Sequence, residues 1–105
     1  MALYRPQLTA RKILDSRALA KQPDGAIVYI AGQVVMHQAP PTAKGHHFVT
    51  LEDEYGMLNV IVRPAIYAIY TQIIRESPLL MVEAELQRKG PVMNLLARRV
   101  APMVT

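Results

Sequence analysis

The stretch HHFVTLEDEYGMLNVIVRPAIYAIYTQIIRE, residues 46–76, changes its hydrophobic period once, and the change decides the fold. Val49 and Leu51, then Leu58, Val60 and Val62, recur at every second position, as a strand with one buried face requires. Between them Asp53-Glu54-Tyr55-Gly56 supplies tight-turn chemistry, so the spacing predicts a hairpin of strands 46–52 and 57–63. Pro64 suits the first position of a helix, and Ile66, Ile69, Tyr70 and Ile73 then follow helical spacing until Ser77-Pro78 stops it, which predicts a helix over 64–76.

Upstream, Gln38-Ala-Pro-Pro-Thr-Ala-Lys-Gly45 holds two adjacent prolines and reads as an exposed loop. Residues 26–38 are rich in β-branched side chains and predict one long strand bent at Gly32. Before it, Thr9 is placed to cap a helix carrying Ile13, Leu14 and Leu19 that ends ahead of Pro23-Asp24-Gly25, and residues 1–8 are expected to be a flexible N-terminal segment. Downstream, Leu80, Val82, Ala84 and Leu86 alternate with polar residues, and Arg88-Lys89-Gly90-Pro91 leads into a last strand, 92–100.

The order is helix, three strands, helix, two strands. A split ferredoxin-like sheet would need a helix after the first strand, where Pro40-Pro41 stand. The expected class is therefore all-β with accessory helices: a single domain, 1–105, folded as a five-stranded OB-fold Greek-key barrel with a helix between strands 3 and 4. Such barrels bind single strands or oligosaccharides across strands 2 and 3, flanked by the loops joining strands 1 to 2 and 4 to 5.

Composition agrees with one small core: 105 residues, 51% of them hydrophobic, against only 19% charged. No apolar run reaches the ~20 residues a bilayer helix needs, and a cytoplasmic, reducing location fits the lack of cysteine. Twelve Lys and Arg against eight Asp and Glu leave a net charge of +4, which permits a polyanionic partner.

Alternation turns Phe48 and Thr50 outward if Val49 and Leu51 point in, and places Asn59 on the same face. Phe48 there either stacks a base or covers the barrel's edge, and Asn59 either reads a base edge or is simply solvated. Lys44, Arg63, Arg88 and Lys89 lie in or beside the flanking loops as a candidate phosphate rim; Arg98 and Arg99 should alternate faces, so that at most one joins it. The alternative is a contact patch for other subunits, made by Met36, Ile61 and Met81 or by the helix face with Tyr67. His46 and His47, adjacent on a strand, should point to opposite faces, and with His37 they make no metal site; Glu52-Asp53-Glu54 reads as turn chemistry. No phosphate loop, nucleophile elbow or catalytic triad is present, so no cofactor and no catalysis are expected.

Thr42-Ala-Lys-Gly45, joined to Thr50-Leu-Glu-Asp-Glu54 and preceded by Ala31-Gly32-Gln-Val-Val, resembles the OB-fold domain near the C-terminus of bacterial DNA polymerase III alpha subunits, nearest the error-prone branch. The resemblance runs from about Leu8 to Met103. It implies binding of single-stranded DNA, or of RNA as in the related anticodon-binding domains, which place a stacking Phe at the position of Phe48. It also implies polymerase subunits as neighbours, while polymerase catalysis would belong to a longer parent. The chain departs from the branch at His37-Gln38-Ala39, where arginines are usual, and at Arg63, where an aromatic is common.

Overall fold

In a computed structural model the described residues are 14–19, 21–90 and 92–102. They form α1 (Ser16–Leu19), β1 (Ile27–Gln38), a 3-10 turn (Pro41–Ala43), β2 (His47–Asp53), β3 (Gly56–Val62), α2 (Pro64–Glu76), β4 (Leu79–Lys89) and β5 (Val92–Pro102). The strands close into a barrel in the order β1-β2-β3-β5-β4, with α2 inserted between β3 and β4 as its sequence period requires.

Alternation fills the interior. Val49 and Leu51 from β2, Leu58, Val60 and Val62 from β3, Leu80, Val82, Ala84 and Leu86 from β4, and Leu95, Ala97 and Val100 from β5 are buried together, and Ile74 of α2 joins them. β1 serves two neighbours: Ile27 to Gln33 pair with β4, and Gln33 to Gln38 with β2. The change of partner falls at Gln33, next to Gly32, where a Cβ would stand 2.9 Å from the Glu52 carbonyl oxygen.

Of the expected N-terminal helix the described residues hold Ser16–Leu19, and Leu14 departs from it. Thr9 to Ile13 lie outside the described residues, as does the segment 1–8. Leu14 is not helical: it bridges Ile30 in parallel, its amide donating to the Tyr29 carbonyl at 2.7 Å. Among the described residues helix begins at Ser16, where the Asp15 carboxylate accepts from the Ala18 amide at 2.8 Å. An apolar residue before a cap thus serves the sheet edge rather than a helix face. The 38–45 loop, expected to be irregular, holds a 3-10 turn, which ends where Lys44 enters the left-handed region at φ 54°.

Candidate nucleic-acid interface

Phe48, Thr50 and Glu52 project outward from β2, and Met57, Asn59 and Ile61 from β3. Register sets them in rows: Met36, Thr50 and Asn59 face one another across β1, β2 and β3, and Gln38, Phe48 and Ile61 form the next row. Phe48 retains 37% exposure, so the large apolar ring lies on the surface rather than in the core. Strand spacing and rise give this face about 10 by 20 Å. Among the described residues Met36, at 51% exposure, belongs to it as well, so the contact patch and the base-stacking face of the sequence reading are partly one surface.

The basic residues divide between its ends. A Cβ on Gly45 would meet Pro64 at 3.2 Å, so Lys44 and Arg63, the neighbours of these two residues, share the end where β2 begins. β5 runs parallel to β3, which places Lys89, at the close of β4, by the Asp53–Gly56 hairpin at the other end. Lys44, Arg63 and Lys89 are exposed.

Arg88 differs from the expectation of a phosphate contact. Its guanidinium donates to the carbonyls of Leu19 at 3.3 Å and Gln22 at 3.0 Å, while its amide donates to the Asp24 carboxylate at 2.6 Å. Partners 64 to 69 positions away leave no local signal, so the sequence offers only a charge in a loop. Arg88→Ala is expected to cost about 1–3 kcal/mol of stability, since carbonyls beyond α1 lose a charged donor, and to alter oligonucleotide affinity less than Lys89→Ala does. Thermal melting of the two variants beside a binding titration checks it.

Arg98 and Arg99 depart from strict alternation. Glu83 faces Arg99 but Ala84 faces Ala97, so Arg98 is the extra residue of a bulge and both arginines are exposed, away from β2 and β3. The acidic turn behaves as turn chemistry: buried Asp53 accepts from the amides of Tyr55 at 2.8 Å and Gly56 at 3.0 Å. Glu52 stands on the outer face and opposes phosphate there.

The histidines do not alternate as expected, because His46 precedes β2 and bonds the Ala43 carbonyl. His37 and His47 instead meet, ring nitrogens 2.8 Å apart, with His47 stacked on Tyr67 at 3.4 Å. Tyr67 is therefore partly covered rather than a free contact. Among the described residues no group of three or more metal-ligating side chains converges. Burial holds both imidazoles below their ordinary pKa, aided for His37 by the Arg75 charge and for His47 by His37. The unfolded chain then binds protons more readily, so the contribution of the pair is intact above about pH 6.5 and is lost as pH falls below it. The drop in melting temperature from about pH 7.5 to 5.5 is expected to be smaller in a His37→Gln, His47→Gln chain; equal drops would show that the pair contributes nothing.

The error-prone DNA polymerase of Anaeromyxobacter dehalogenans (strain 2CP-C) is 41% identical over 103 residues, 98% of this chain and 9% of the relative. That of Pseudomonas aeruginosa is 44% identical over 108 residues, covering 100% of the chain and 10% of the relative. The chain is homologous to one segment of the error-prone DNA polymerases. It spans about a tenth of the length of these curated relatives. No protein-family model matches it. Among solved structures, asparaginyl-tRNA synthetase from Pyrococcus horikoshii superposes with a TM-score of 0.71 at 12% identity, over 87% of this chain and 22% of that one. That likeness bears on the fold, an OB barrel, which the closed five-stranded topology displays directly. Among the described residues no helix is long and apolar enough to cross a membrane.

Proposed function

We propose that this segment of the error-prone polymerase type is a non-catalytic module that binds single-stranded nucleic acid, DNA before RNA, in cytoplasmic DNA replication or repair, with other polymerase subunits beside it. The observation that carries the proposal is the outward alignment of Phe48, Thr50 and Asn59 on one face with cations at both of its ends. Bases stack on Phe48, Asn59 and Thr50 offer hydrogen bonds to base or sugar, and Lys44, Arg63 and Lys89 neutralise phosphates. Arg88 ties the end of β4, next to Lys89, to Leu19, Gln22 and Asp24. The homology to DNA polymerases favours DNA as the strand.

Anisotropy of a labelled single-stranded oligonucleotide tests it. Three phosphate contacts on a single strand predict about a 15- to 20-fold loss of affinity between 50 and 200 mM salt, and removing one of Lys44, Arg63 or Lys89 should lower the salt slope by about one unit or slightly less. Affinity flat in salt would overturn the proposal and favour Met36 and Ile61 as a protein contact. Competition by RNA of equal sequence decides between the two strands.

A further inference from the structure

Away from β2 and β3, the barrel carries a second concave surface. A groove of about 470 Å³ is lined by Tyr29, Tyr70, Met81, Glu83, Arg99 and Ala101, a volume within the range of small-molecule sites. Tyr29, Glu83 and Arg99 form one cross-strand row over β1, β4 and β5. Tyr29 is 45% exposed, and Arg99 Nε lies 3.8 Å from Glu83 Oε2. The bulge at Arg98 leaves both arginines exposed where a regular strand would have turned one inward, Arg99 lining the groove and Arg98 adjoining it in the chain. The Glu83 carboxylate beside Tyr29 holds its hydroxyl above the ordinary pKa, an effect that the charges of Arg99 and Arg98 oppose. At Tyr70 the helix leaves helical geometry, with φ −111° and ψ 16°. Two aromatic rings, one carboxylate and the Arg99 guanidinium thus line one opening, with exposed Arg98 next to Arg99 on the strand.

We propose that Tyr29, Tyr70, Glu83, Arg98 and Arg99 form a site for one phosphorylated nucleoside, separate from the Phe48 face. The aromatic rings take the base, the carboxylate accepts from its exocyclic amine, and the arginines hold the phosphate. A base without that amine, uracil, offers Glu83 less and binds weakest. The nucleotide reaches the groove free in solution or as one residue of a strand.

Amide-shift titration with GMP, CMP and UMP, with inorganic phosphate and with a short single-stranded oligonucleotide tests the site. Expected are saturable shifts at residues 29, 70, 81–83 and 98–101 with constants around millimolar, GMP and CMP binding several-fold tighter than UMP. Tyr29→Ala should weaken GMP at least about fivefold. Phe48→Ala should leave GMP unchanged, and this separates the groove from the face proposed above: loss of oligonucleotide binding with GMP intact removes that function and keeps this site. Shifts at Tyr29 that appear with the mononucleotides alone or also with the oligonucleotide support the site and identify the source. No saturable shift at these residues with any nucleotide, the same saturation with phosphate alone, or loss of GMP binding in Phe48→Ala would overturn it.

Discussion

A Phe48→Ala chain is expected to melt within a few degrees of the parent and to bind a single-stranded oligonucleotide roughly 5- to 150-fold more weakly, the equivalent of about 1–3 kcal/mol for one lost base–aromatic stack. The ring lies outside the barrel, opposite Ile61 of β3 and Gln38 of β1, so truncation opens no interior cavity. No phosphate contact leaves with it, and the salt slope should stay nearly constant. Lys89→Ala gives the converse: a modest loss of affinity, a shallower slope and little dependence on base identity. Equal affinity of Phe48→Ala and parent would remove stacking from the mechanism.

Gly32→Ala should produce a loss of stability instead, of about 1–3 kcal/mol, or very roughly 5 to 20 °C in melting temperature for a chain this size. The added Cβ would stand 2.9 Å from the Glu52 carbonyl oxygen and 3.0 Å from the Leu51 Cβ. Neither can swing aside, because Leu51 and Glu52 are held in register on β1 and β3 at once. β1 must move beside the residue where it changes partners. A variant that melts like the parent would show that the close approach is easily relieved.

The barrel was legible in the sequence because its signals are local. Val49 and Leu51, and Leu58, Val60 and Val62, announce their buried face by period, and Pro64 and Ser77-Pro78 bracket the helix at the observed bounds of Pro64–Glu76. The outward positions of Phe48, Thr50 and Asn59 follow from the same alternation. What escaped was set by strands distant in sequence. The irregularity in β1 between Val34 and Met36 and the bulge at Arg98 arise from pairing register, which no single strand encodes. The capture of Arg88 by the carbonyls of Leu19 and Gln22 is a tertiary event, as is the diversion of Leu14 from helix to bridge.

The division of β1 between two partners also orders assembly in time. Its C-terminal half meets β2 across short separations, Gln38 with Phe48 being 10 positions apart, whereas Ile27 waits for Glu85, 58 positions on. Loop-closure entropy favours the near pairing first, so during synthesis the β1–β2–β3 meander can gather while β4 has yet to emerge. The first half of β1 then stays an unpaired edge until the barrel shuts, and pulse-labelled exchange should find the amides of β1 beyond Gln33 protected before those ahead of it. Until β4 arrives, the nascent chain holds its strand-2 and strand-3 surface on an open sheet.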